Sequence, residues 1–162
     1  HPSYTKPPEP RMVVAHGSEW EWSLDGTNWA KGIAPLGYGD KKVNPVALPD
    51  GVKPPWIAFR KEVEVGDAGA VTRLFFDLKV DDGGVVNLNG HEVVRHNLPD
   101  GELKPETLAL KKMVGWRLKR GIPFPVDPKF LKSGTNLVEV RVYQQSPKSS
   151  DLMFDMAVRV KE

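Results

Sequence analysis

The segment Asp151–Val160 places Leu152, Phe154, Met156, Val158 and Val160 at every second position, with Asp155 and Arg159 between them. Side chains of an extended strand point alternately to opposite faces, so this spacing commits the stretch to a strand with one buried face. A helix would spread the same residues round its whole circumference. Leu137–Gln144 repeats the pattern, with Val138, Val140 and Val142 set against Glu139, Arg141 and Tyr143. In Val71–Val80, Leu74, Phe76, Leu78 and Val80 share one face while Arg73, Asp77 and Lys79 share the other. Apolar strand faces need a cover, and the cover that fits them best is a second sheet. Leu74, Phe76, Leu78, Val138, Val140, Val142, Phe154, Met156 and Val158 are therefore expected between two sheets.

Shorter β-prone runs fill in the rest. Arg11–His16, Glu19–Ser23, Trp56–Val65, Val85–Leu88 and His91–Arg95 all carry strand-forming residues. Asn89-Gly90 predicts a tight hairpin, because both residues tolerate positive φ. Asp81-Asp82-Gly83-Gly84 reads as a turn, residues 24–55 as a long loop rich in glycine and proline, and Pro128–Ser133 as a single turn ended by Gly134. Residues 97–121 are ambiguous, with a helical turn expected over Lys104–Met113. The 15 glycines and 15 prolines, spread in short clusters, suit many short strands joined by turns. The count is about eight strands and no long helix, which predicts an all-β, two-sheet antiparallel sandwich. Residues 1–10, polar and with four prolines, read as an extended linker or processed N-terminus, and residues 11–162 as one domain.

Charge argues against a nucleic-acid partner. The chain has 23 basic and 21 acidic residues, a net of +2, and the two signs are interspersed. Its densest basic stretch, Lys111-Lys112 through Arg117, Lys119 and Arg120, reads as a solvated face. With no cysteine, disulfides, cysteine-based zinc sites and thiol nucleophiles are excluded. No run approaches the ~18 apolar residues of a membrane-spanning helix.

Catalytic constellations are missing too. There is no phosphate-binding loop and no G-x-G-x-x-G. Ser149-Ser150-Asp151 reads as a turn, not a nucleophile elbow. Glu62 and Glu64 share one exposed strand face. His91 and His96 are an odd number of residues apart on one strand, so they face opposite ways and make a poor metal pair. His1 with its own amine has the donors of a copper brace, but nothing else of such an enzyme is recognisable. The reading is of a non-enzyme.

The stretches FRKEVEV, LFFDLKVDDGGVVNLNGHEVVRHNLP, FLKSGTNLVEVRVYQ and SSDLMFDMAV together carry a recognisable pattern. It resembles the galactose-binding-domain-like jelly rolls of bacterial extracellular proteins, such as the modules that accompany metallophosphoesterases. It is also similar to the sugar-binding domain of family 2 glycoside hydrolases, with its D-D-x-x-x-V-x-L-N-G and L-K-x-G-x-N-x-L-x-V-x-V. Upstream, GTNWAKGIAPLGYGD is similar to the W-x-x-G-x-A-P-L-G-Y-G-D loop that often precedes them. The resemblance covers roughly residues 19–160 and departs at Asn87, where an aromatic is common. It implies a jelly-roll fold and an accessory, non-catalytic module, extracellular or periplasmic, that binds carbohydrate or a glycan-bearing surface. The alternative is a structural subunit held in an extracytoplasmic assembly by protein contacts. Such folds often hold a structural calcium, for which Asp25, Asp40 and Asp151 are the candidate ligands.

Of the five tryptophans, Trp20 and Trp22 share one strand face, so at least one is expected in the core. Trp29 and Trp116 lie in turn-rich regions, where a flat ring can stack on a sugar. A sugar site, if built by loops at one end of the sandwich, would add polar contacts from Asp81, Asp82, Asn87, Arg95 or Gln145.

Overall fold

The computed structural model describes residues 3–5, 9–113 and 120–162. Among these, twelve strands form two sheets packed face to face, the antiparallel-rich jelly-roll sandwich that the alternation demands. In chain order they are β1 (Arg11–Val14), β2 (Glu19–Ser23), β3 (Ala30–Ile33), β4 (Leu36–Tyr38), β5 (Asn44–Pro45), β6 (Trp56–Glu64), β7 (Arg73–Asp81), β8 (Gly83–Leu88), β9 (His91–His96), β10 (Ile122–Val126), β11 (Thr135–Tyr143) and β12 (Leu152–Lys161). One sheet runs β10-β7-β12-β4-β5, with β1 pairing the other half of β12's edge. The second runs β3-β2-β6-β11-β8-β9. Every pair is antiparallel except β4 with β5.

The inward faces are those the period-two pattern selects. All nine residues expected between the sheets are at most 1% exposed. At the centre Phe59 stacks on Phe154, and Trp20 meets the same ring edge-on at 4.9 Å. Trp20 is thus core, while Trp22 is half-buried beside it.

Three sequence expectations change. The Gly/Pro-rich stretch 24–55 is not a plain loop, for it contributes β3, β4 and β5. β4 is buried on both faces, so it shows no alternation to read. Asp81-Asp82 is not an ordinary hairpin turn. The chain leaves one sheet at Asp81 and enters the other at Gly83, making a corner of the sandwich. Lys104–Met113 contains one reverse turn, closed from Thr107 N–H to Lys104 O, and no helix. The Asn89-Gly90 hairpin forms as expected, with φ of 51° and 85°.

The segment after β9 folds back over the outer face of the second sheet. It buries Val85 and Tyr143 against Leu98 and Ala109, with Trp56 and Leu103 at the margin. Ala109 N–H donates to Gln144 O and Leu110 N–H to Asn97 O. The Asn97 side chain exchanges two hydrogen bonds with the Lys111 backbone. Gly83 lies directly beneath, where a Cβ would come within 2.8 Å of both Asn97 O and the Leu98 side chain. Lys111, Lys112 and Arg120 are exposed, as a solvated face requires. Arg117 and Lys119 lie outside the described residues.

Candidate functional site

A cleft of about 290 Å³ opens on the outer face of the second sheet. Outward-facing residues of four adjacent strands make its floor: Ala58 on β6, Glu139 and Arg141 on β11, Val85 and Asn87 on β8, and Arg95 on β9. Asn87 stands opposite Glu139 across the β8–β11 ladder, and Arg141 stands between Val85 and Ala58. One wall is the 97–113 segment, through Leu103, and the other is the turn after β2, through Gly26 and Trp29.

Both walls are rigidly hydrogen-bonded. In the turn after β2, the Asp25 carboxylate accepts from the backbone N–H groups of Asn28 and Thr27, from the Asn28 amide and from the Ser23 hydroxyl. These bonds, led by the Asn28 and Thr27 backbone, hold its carboxyl well below the usual carboxylate range. On the other side, Arg95 donates to Glu92 with one edge of its guanidinium and to the carbonyls of Pro99 and Gly101 with the other. It pins the start of the covering segment.

The remaining charged groups divide sharply. Arg60 rests over the Trp29 ring at 4.0 Å and pairs with Glu21 at 3.1 Å. Arg141 rests over Trp56 at 4.2 Å, and among the described residues its side chain has no ion pair and no hydrogen bond. Glu139 and Asn87 likewise have no side-chain hydrogen bond there. The cleft therefore presents a guanidinium, a carboxylate and a carboxamide on two neighbouring strands, none of them hydrogen-bonded or ion-paired among the described residues. Convergent polar groups of this kind beside an aromatic ring can orient a polyhydroxylated ligand.

The structure brings three of the sequence-selected residues together here: Trp29, Asn87 and Arg95. Asp81 and Asp82 sit instead at the buried corner beneath the covering segment, with the exposed Gln145 beside them. Asp82 is 2% exposed, and its two oxygens accept the N–H groups of Met113 and Gln145 at 2.8 and 2.9 Å. Asp81 is buried beside it. Burial foremost, then the hydrogen bond and charge of Asp82 and the nearby Asp151, push its carboxyl up to about 9. Trp116 and His1 lie outside the described residues.

The three calcium candidates do not fit a shared ion. Asp25 is saturated by its own turn, and Asp40 accepts the Lys42 N–H in another exposed turn. Asp151 lies beside Asp81 and Tyr38, at the corner. Among the described residues no three His, Asp or Glu side chains form a group that could hold a metal ion.

Sequence reasoning passed over Arg141, Glu139, Trp56 and Tyr143. Glu139 and Arg141 were visible as the outward side of a strand, but an outward charge reads as solvated by default. Only the cross-strand register, which sets them beside Asn87 and under two tryptophan-bearing edges, marks the face as a site.

No family model matches the chain, and no curated protein does either. Solved structures of similar fold are found. An apo β-glucuronidase from Ruminococcus gnavus aligns over 100% of this chain and 31% of its own, at 11% identity and a TM-score of 0.56. A β-glucuronidase from an uncultured Clostridium sp. aligns over 98% and 31%, at 12% identity and 0.55. The β-D-mannosidase of Dictyoglomus thermophilum aligns over 83% and 16%, at 15% identity and 0.51. The chain thus spans less than a third of the length of these enzymes. At such identities the likeness is one of fold: the sandwich expected from the resemblance to family 2 glycoside hydrolases is the fold this chain shares with part of them.

Proposed function

We propose that this chain is a non-catalytic carbohydrate-binding module, an accessory part of a larger carbohydrate-active protein working outside the bacterial cytoplasm. The observation that carries the reading is the trio Asn87, Glu139 and Arg141, whose side chains have no hydrogen bond or ion pair among the described residues, on one sheet face and flanked by Trp29. A sugar offers hydroxyls to such groups and an apolar C–H face to the ring. The names of the similar folds, a mannosidase and glucuronidases, lend support, since each of those enzymes is much longer than the part this chain matches.

Affinity should be modest, with Kd in the micromolar to millimolar range, about −4 to −8 kcal/mol, because each contact displaces water that bonded equally well. Titration with a broad oligosaccharide panel, followed by tryptophan fluorescence and amide chemical shifts, tests this. Shifts clustered on β8, β11 and the turn after β2 are the expected result. No response across the panel overturns the reading.

A second reading, a protein-contact role, is favoured by a separate cleft between Pro54, Pro55, Pro105 and Pro147, lined also by the exposed Leu108. The prolines and Leu108 give it the apolar surface a protein edge can cover, beside the polar Lys53, Glu106 and Ser146.

A further inference from the structure

The state of Arg141 narrows the ligand class of that same cleft, an inference that rests on the carbohydrate reading. A guanidinium stacked on an aromatic ring keeps its flat face occupied and its edge of N–H donors free. Arg141 is in this state over Trp56. Gly26, at a φ of 79°, lies against the stack, where a Cβ would be in ordinary contact with the Trp56 ring at 3.4 Å and the Arg141 guanidinium at 3.9 Å. The hydrogen bonds of Asp25 and Ser23 hold Gly26 in place.

The other charges around it are mostly spent. Arg60 is paired with Glu21, and Arg95 with Glu92 and two carbonyls. Among the described residues lining the cleft, that leaves one cation, Arg141, and one anion, Glu139, two residues apart on the same face of β11 without bridging each other. A neutral sugar would satisfy Glu139 and Asn87 through its hydroxyls and offer the guanidinium only weak neutral acceptors. A sugar carrying a carboxylate would satisfy all three. Its two oxygens match the paired N–H groups of the guanidinium edge, and a charge-assisted pair of this kind is about twice as strong as a neutral hydrogen bond.

We infer that the cleft binds an acidic saccharide, a uronate-containing glycan, with Arg141 receiving the carboxylate while Glu139 and Asn87 take neighbouring hydroxyls.

The test compares an oligogalacturonate, its methyl ester and a neutral gluco-oligosaccharide of equal length, by calorimetry against the whole chain and its Arg141→Gln and Arg141→Lys variants. Far-UV circular dichroism and thermal melting establish that each variant is folded. The expected result is that the free acid binds about tenfold or more tightly than its ester. Arg141→Gln should erase that preference, Arg141→Lys should keep part of it, and added salt should weaken only the acid. Equal binding of acid and ester, unaffected by Arg141→Gln, would overturn the charge assignment and leave the carbohydrate reading standing. Absence of binding by all three sugars would overturn both.

Discussion

Phe59 of β6 and Phe154 of β12 stack across the interior of the sandwich, ring centroids 4.2 Å apart and planes at 17°. One ring comes from each sheet, so the pair is where the two sheets are held to one another. Both side chains are 0% exposed. Truncating Phe154 removes this stack and the edge contact of Trp20 together. Phe154→Ala should cost about 3–5 kcal/mol in urea unfolding, the range for a large aromatic whose cavity cannot collapse. A loss below ~1 kcal/mol would mean that the sheets are not clasped at this point.

The long strands could be read from the sequence because one face of each is apolar and buried along nearly its whole length. Burial then imprints its period on the residues, as in Val138, Val140 and Val142 or in Leu152 through Val160. β4 and β10 leave no such imprint. Leu36, Gly37 and Tyr38 are all buried, and β10 carries Pro123 and Pro125, which an edge strand tolerates but a pattern reader takes for a loop. The cleft was half legible for a related reason. Trp29, Asn87 and Arg95 stand out locally, whereas Arg141 acquires its meaning only from Trp56, which lies 85 positions before it and one strand over. Tyr143 shows the limit of alternation most directly. It stands on the outward side of β11 yet is 1% exposed, because the covering segment folds over it.

That segment should depend on Asp82. Its carboxylate takes the N–H groups of Met113 and Gln145, one on the covering segment and one just past β11. Asp82→Ala takes away the acceptor of both amides and empties the space of a side chain that is itself 2% exposed. A loss of about 2–4 kcal/mol is expected, with faster amide hydrogen exchange at Met113 and Gln145. Unchanged protection at both amides would remove Asp82 from this role.

Asp81 makes stability depend on pH. Its carboxyl is raised from an ordinary 3.8 to about 9, by burial first and by Asp82 and Asp151 after it. Between those values the native chain keeps a proton that the unfolded chain has released, so this group's contribution is full below pH ~4 and declines as pH rises towards 9. Asp81→Asn keeps the shape and removes the titration. The variant should gain on the wild type by at most about 1.4 kcal/mol per pH unit over this window, and by about 1 kcal/mol or more at pH ~8. Equilibrium unfolding of both proteins at several pH values measures the difference. A difference that stays flat with pH would show that Asp81 is ionised in the fold.

Trp29 separates binding from folding. It is half-buried on the turn after β2, outside the sandwich interior, with Arg60 over its ring. Arg60 keeps its pairing with Glu21 when the ring is removed, and the turn keeps the hydrogen bonds of Asp25. Trp29→Ala should therefore lower stability by no more than about 1 kcal/mol, as an exposed or half-exposed site does. The ring is nevertheless one wall of the cleft, and an aromatic contact is worth about 0.5–1.5 kcal/mol beyond its buried area. Saccharide affinity should fall about tenfold, equally for acidic and neutral sugars, because the ring reads the C–H face and not the charge. Calorimetric titration beside thermal melting checks both halves. A variant that melts like the wild type and binds like it would place the sugar elsewhere on the sheet.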